Sequence, residues 1–212
     1  MNNNPHQYQP PTVPSSPPKP SPVKPPKKRD WGTLGFIASL IAAVTFVLFF
    51  INPYIMQTYQ VFGQSMEPTL HESDYLIISK VGASLAKLEN KDYLPHRGEI
   101  IVIDSSLNGN RLIKRVIGLP GERVVVDSGK VTVYPRGSDV GFDPYQQLGM
   151  QQRFASGSVS TEVPEGHVFV IGDNREAGGS LDSRNELGPV PTDKIVGRLL
   201  LRLWPFSQPI HN

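Results

Sequence analysis

Trp31 to Ile51 is a run of 21 residues without a charge, WGTLGFIASLIAAVTFVLFFI. As a helix rising 1.5 Å per residue it is about 31 Å long, close to the ~30 Å of bilayer hydrocarbon. A chain with such a run must bury it whole or give it to lipid. A buried core helix would show a polar stripe, and here only Thr33, Ser39 and Thr45 interrupt the apolar and small residues. A cleaved signal peptide has a shorter apolar region, roughly 7–15 residues, followed by a small-x-small site. Phe49-Phe50-Ile51-Asn52-Pro53-Tyr54 offers no such site. The run therefore predicts a permanent anchor over residues 31–52, with Trp31 at its inner edge and Asn52-Pro53 ending the helix. No second run reaches this length, so a single span is expected.

The charges around the run give it a direction. Residues 1–29 hold five basic residues (Lys19, Lys24, Lys27, Lys28 and Arg29), no acid and 10 of the 21 prolines. With few apolar residues to pack, residues 1–30 are expected to be a disordered tail with polyproline II character. No Lys or Arg follows the run until Lys80. The positive-inside rule puts the tail in the cytoplasm and residues 53–212 on the outer side. That later part carries 16 basic and 18 acidic residues. A nucleic-acid binder would carry its basic excess on the folded domain, so no nucleic-acid partner is expected.

Residues 53–212 read as mainly β. Tyr75–Val81, Glu99–Asp104, Arg111–Leu119, His167–Ile171 and Ile195–Leu203 are short runs rich in Ile, Val and Leu, punctuated by Gly, Pro, Asp and Asn. Arg123–Val126 and Lys130–Tyr134, joined by Asp127-Ser128-Gly129, predict a hairpin. Residues 82–96 form a polar excursion with room for a short helix, and residues 135–163, rich in Gly, Ser and Gln, read as a surface insertion. The expected fold is an antiparallel, barrel-like or sandwich β domain behind one transmembrane helix.

The chain has no cysteine, which removes disulfides, thiolate metal sites and a cysteine nucleophile. The first polar ground after the anchor contains Gly63-Gln64-Ser65-Met66-Glu67-Pro68-Thr69-Leu70. A serine hydroxyl is a poor nucleophile until a neighbouring group takes its proton. Lys114 is a candidate, because strand alternation puts it on one face with Leu112 and Val116. The pattern alone leaves two readings open: a surface lysine with a snorkelling head, or a lysine buried enough to lose its charge and act as a base. Gly172-Asp173-Asn174-Arg175, Ser180-Leu181-Asp182-Ser183-Arg184 and Gly188 form a third polar cluster, which by itself reads as a solvated loop.

In order and approximate spacing, GQSMEPTL, RGEIIVI (Arg97 to Ile103), KRVIGLPGE (Lys114 to Glu122) and GDNR…SLDSR…G (Gly172 to Gly188) resemble the bacterial type I signal peptidase (leader peptidase) family. The resemblance covers about residues 31–205 and is weakest over 123–165, where the family has a variable β insertion. It implies a mainly antiparallel β-sheet, barrel-like catalytic domain and a membrane-bound serine endopeptidase that removes signal peptides from exported preproteins. By that resemblance Ser65 is the nucleophile and Lys114 the general base. Ser180 positions the lysine amine, Asp182 and Arg184 brace their loop, and Asp173 and Arg115 support the site. Met66, Leu70 and Ile113 match apolar positions near pockets for small substrate side chains. The position two residues before the nucleophile, a serine in many relatives, is Gly63 here, so the oxyanion falls more to the Ser65 backbone N–H. Two further departures are the four residues Glu176–Gly179 where the common pattern has two, and Glu72-Ser73-Asp74, where Ser73 stands in place of a glycine.

No cofactor or metal is implied. The implied partners are preprotein signal peptides, the lipid bilayer and the protein export machinery, at a bacterial plasma membrane or an internal membrane such as the thylakoid. Ser84-Leu85-Ala86-Lys87 matches the S-x-x-K acylation motif, but neither S-D-N nor K-T-G occurs. His71, His96 and His167 are alternative bases, since some relatives use a histidine. A self-cleaving repressor with the same dyad would carry a DNA-binding domain in place of the anchor. A tethered β module without activity is the rival from outside the enzymes.

Overall fold

A computed structural model describes residues 31–105 and 109–204. The proline-rich tail with Lys27-Lys28-Arg29 lies outside the described residues, as do Pro205 and Phe206 of the C-terminal motif. The chain divides into two units, Met1–Ile41 and Ala42–Asn212, the boundary falling within the first helix.

Helix α1 (Trp31–Phe46) occupies the apolar run and continues through a wider π-type turn at Val47–Ile51 into a single α turn, α2 (Asn52–Ile55). Asn52-Pro53 therefore does not end the helical path, which runs on to Ile55. Pro53, which has no N–H to give to the ladder, follows directly on the π-type turn. Among the described residues, Gly32–Phe49 is the one stretch long and apolar enough to cross a membrane. Its side chains are all exposed.

The rest is mainly antiparallel β, as the sequence predicts. Strands β1 (Met56–Gln60), β2 (Tyr75–Ser79), β3 (Ile100–Asp104), β4 (Arg111–Gly118), β8 (His167–Ile171), β9 (Val190–Pro191) and β10 (Ile195–Trp204) form one sheet, in the order β1-β2-β10-β3-β4-β8-β9. Strands β5 (Arg123–Asp127), β6 (Lys130–Tyr134) and β7 (Val159–Glu162) form a second sheet, in the order β6-β5-β7. The β5–β6 hairpin turns at Ser128 and Gly129, both at positive φ (49° and 83°), the geometry that a two-residue hairpin loop demands. The polar excursion holds α3 (Val81–Leu88), which begins where the predicted strand 75–81 was expected to end.

Three apolar clusters hold these layers. Val61, Met66, Leu70, Leu76, Ile78, Ile100, Val102 and Leu199 pack beneath the 63–70 loop. Ile101, Ile103, Val116, Val168, Val170, Val190 and Ile195 cover the opposite face of the large sheet. The third cluster joins the two sheets through Ile117, Val124, Val133, Phe169 and Ile171, together with Tyr145 and Ala155. Each such aliphatic side chain contributes about 1.5–3 kcal/mol when fully buried. Tyr145, on the short helix α4 (Pro144–Gln147), shows that residues 135–163 are not wholly a surface insertion: they add a core residue and strand β7.

Candidate active site

The 63–70 loop is anchored by its apolar residues. After β1 the chain turns back on itself, with Glu67 N donating to Gln64 O at 3.1 Å and both Thr69 N and Leu70 N donating to Met66 O at 2.9 Å. Met66 and Leu70 plug the core below, while Ser65 stays partly exposed above them. The loop is closed behind by Val61 N to Asp74 O (2.8 Å) and Ser73 N to Val61 O (2.9 Å). Asp74 is itself buried, accepting from His71 N at 2.9 Å and from Arg202 Nη1, on the last strand, at 3.1 Å. Ser73 takes φ 71° in that turn, which accounts for a glycine being the common residue there.

Lys114 Nζ lies 2.8 Å from Ser65 Oγ and donates to the Ile113 carbonyl at 2.8 Å. The register pairs Lys114 with Ile101 and Leu112 with Ile103, so the lysine stems from a strand face of Leu112, Val116 and their apolar partners. It is 1% exposed, which excludes the snorkelling alternative. Burial lowers its pKa from 10.5 to about 8 against the pull of the Asp182 and Asp173 carboxylates, and Arg184 lowers it further. About a tenth of Lys114 is then a neutral amine at pH 7, able to accept a proton, and about half at pH 8.

Behind the pair stands a buried ionic scaffold. Arg115, next along β4 and 0% exposed, forks onto Asp173 (Nε to Oδ1 3.0 Å, Nη2 to Oδ2 2.7 Å), and its Nη1 donates to Gly98 O at 2.8 Å. Thr69 Oγ1 donates to Asp173 Oδ2 at 2.6 Å, linking this carboxylate to the 63–70 loop. Burial alone would raise the Asp173 pKa; the Arg115 bonds and charge, with Thr69 and Arg175, hold it below the ordinary value. Asp182, fully buried, accepts from Gly172 N (2.9 Å) and takes the Arg184 guanidinium on both oxygens at 2.9 Å. Asn174 N donates to Ser65 O at 3.0 Å, and Asn174 Nδ2 to Gln64 O at 3.2 Å, so the 172–175 loop lies directly on the Ser65 main chain. Gly172 allows this approach: a Cβ there would collide with the Ser65 carbonyl oxygen and with Ser180 Oγ.

Ser180 is buried beside Gly172, and its hydroxyl has no hydrogen-bond partner. The second contact of the lysine amine is the Ile113 carbonyl, not Ser180. The two additional residues before Ser180 are absorbed in a tight turn closed by Gly179 N to Glu176 O at 3.0 Å.

A groove of about 650 Å³ leads to Ser65 and Lys114. One wall is β1 and the residues after it, from Gln57 to Phe62; the other is Asn110 to Lys114 of the β3–β4 side. β1 is the edge strand of its sheet, and β8 pairs with β4 only from Arg115 to Gly118. Both walls thus present a strand flank without a strand partner. Met66 and Ile113 line the groove near the serine; Leu70, fully buried beneath the loop, does not, and its role is packing. Among the described residues the Ser65 backbone N–H meets no acceptor.

The other candidates are elsewhere. His71 and His96 are exposed, and the His96 ring meets Glu99 at 3.4 Å while the His167 ring meets the Glu165 carbonyl at 2.9 Å. Ser84 Oγ donates to Tyr54 O, and Lys87 is exposed on α3. No group of acidic and histidine side chains suited to a metal ion occurs among the described residues. The roles of Thr69, Asn174 and Gly172 were not assigned from sequence. All three lie inside the motifs that stood out, but their parts depend on contacts across the fold.

The family model described as signal peptidase, peptidase S26, matches residues 29–204. Signal peptidase I T of Bacillus subtilis (strain 168) is 34% identical over 187 residues, covering 84% of this chain and 86% of the relative. Signal peptidase IB of Staphylococcus aureus (strain COL) is 31% identical over 183 residues, covering 81% and 90%. A crystal structure of a signal peptidase I from Enterococcus faecalis V583 matches at 30% identity and a TM-score of 0.39, covering 50% of this chain and 97% of that one.

Proposed function

This chain belongs to the signal peptidase family, peptidase S26, and on that premise we propose that it is a membrane-bound serine endopeptidase that removes N-terminal signal peptides from exported preproteins. Ser65 is the nucleophile and Lys114 the general base; the 2.8 Å between Lys114 Nζ and Ser65 Oγ carries this reading. The neutral amine takes the Ser65 proton as Oγ attacks the scissile carbonyl. The Ser65 N–H donates to the oxyanion that forms. Lys114, now an ammonium, gives its proton to the leaving amine, which becomes the N-terminus of the released protein. A water then attacks the acyl-serine ester with Lys114 again as base, freeing the signal peptide as a carboxylate. Asp173 with Arg115, and Asp182 with Arg184, hold the loops on either side, and Ser180 stands close to the site with a spare hydroxyl.

The anchor holds the domain at the membrane with the tail cytoplasmic and the catalytic domain outside. Ser65 follows Asn52 by 13 residues, a short tether that suits substrates whose own apolar helix emerges from the same bilayer. The test is cleavage of a preprotein by the purified full chain. Ser65→Ala and Lys114→Ala should each abolish turnover in folded protein. Lys114→Arg should fail too, since a guanidinium keeps its proton. Loss of activity in a histidine variant alongside normal rates for Lys114→Ala would replace this mechanism with a Ser-His one.

A further inference from the structure

The short helix α4, packed in the cluster that joins the two sheets, carries a side chain that reaches the site from behind. Tyr145, on α4, is 1% exposed, and its ring lies against the Arg175 guanidinium with 4.3 Å from Cζ to the ring centre. Among the described residues neither the buried Tyr145 hydroxyl nor Arg175 Nη1 has a partner at ordinary hydrogen-bond geometry, although the Arg175 guanidinium still acts on that hydroxyl electrostatically. Arg175 closes the loop that touches the nucleophile: its Nε donates to Gly172 O at 2.7 Å, and its Nη2 stands 3.6 Å from Asp173 Oδ1. Its carbonyl accepts from Ser156 N at 3.0 Å and from Arg184 Nη1 at 3.4 Å, and Arg184 Nη1 also donates to Ser156 O at 3.3 Å. Residues 145–156 are thus fastened to 172–184 by one stacked ring and two hydrogen bonds. None of Tyr145, Ser156 and Arg175 lines the groove.

We infer that Tyr145 is a positioning residue for the reaction, acting through Arg175 on the loop that fixes the Ser65 main chain opposite Lys114. This rests on the Ser65–Lys114 reading. Arg175 is a buried guanidinium with fewer acceptors than donors, so much of its orientation comes from the electron-rich ring face beside it. Turned away, it releases the Gly172 carbonyl and loosens Asn174 N from Ser65 O. The ring is the working part of Tyr145, because it is the ring that lies against the guanidinium at 4.3 Å while the hydroxyl meets no described partner at ordinary hydrogen-bond geometry. The stretch that sequence reading sets aside as a variable insertion is then the rear support of the catalytic loop.

The test uses the full chain in detergent and a preprotein substrate, with rates taken per folded molecule by circular dichroism, well below the melting temperature. Tyr145→Leu should lower kcat tenfold to a hundredfold, the scale of a small misplacement of reacting groups, and leave KM unchanged because the groove is untouched. Tyr145→Phe should restore kcat. In a cycle with Arg175→Lys, the double variant should be no slower than the slower single, since both act on one loop. An unchanged kcat in Tyr145→Leu, an equal loss in Tyr145→Phe, a change confined to KM, or additive losses in the cycle would each overturn the inference. Should Tyr145→Leu fail to fold, Tyr145→Met takes its place in every arm. Ser65→Ala, run in parallel, keeps the two readings apart: residual cleavage there strikes the dyad, whatever Tyr145 does.

Discussion

An ammonium moved from water to the surroundings of Lys114 loses hydration that Asp182 and Asp173 only partly replace, and its pKa falls from 10.5 to about 8. Below about pH 8 both folded and unfolded chains hold the proton, and the folded state bears a constant cost of about 3 kcal/mol. Between about 8 and 10.5 the unfolded chain binds more protons, so stability rises with pH and the cost disappears. Lys114→Met should therefore be inactive yet more stable than the parent by about 3 kcal/mol at pH 7, with the gap closing by pH 10.5, as read from denaturant melts. For the parent, kcat/KM should climb with pH through about 8 and then level. Arg115→Lys should cost about 3 kcal/mol, because a point charge cannot fork onto Asp173 and reach Gly98 O together. Ser73→Gly should gain up to about 1 kcal/mol by relieving a left-handed serine in the turn behind the nucleophile loop. Ser65 and Lys114, which the structure brings to 2.8 Å, stood out in sequence because each lies in a dense motif. The choice between a snorkelling and a buried lysine was not, since it depends on Ile101 and Ile103 of a strand the local pattern does not reveal as a neighbour.

The strands that sequence reveals are the short runs rich in Ile, Val and Leu. β3, β4, β8 and β10 stood out for that reason, and β5–β6 for its turn. β1 (MQTYQ) and β7 (VSTE) did not. They sit at sheet edges, and their place is fixed by pairing with β2 and β5 rather than by their own apolar residues. That blindness mattered for the site, because β1 is one wall of the groove. Small residues at substrate positions −1 and −3 are expected, since Met66 and Ile113 narrow the groove beside the serine. Ile113→Ala should admit larger residues at one of these positions, measurable on a panel of preproteins varied there; an unchanged preference would move the pocket elsewhere. Gly172→Ala should cut kcat at least tenfold, because the added methyl forces the 172–175 loop off Ser65.

For the molecule as a whole, the basic tail and the neutral 21-residue run set the expected orientation. Protease added outside sealed membranes should digest the β domain and spare the tail; a protected β domain would reverse the topology. The bonds that complete the site also join distant parts of the chain: Thr69 meets Asp173 across 104 positions, and Asp74 meets Arg202 across 128. Such contacts form late, after the intervening chain has been ordered. A ribosome makes Ser65 long before Asp173, Asp182 or Arg202. On the proposed mechanism, a nascent copy has Ser65 without the Asp173 and Asp182 frame and should not cleave. On that reading the order of synthesis itself delays activity until β10 has paired with β2 and Arg202 has met Asp74.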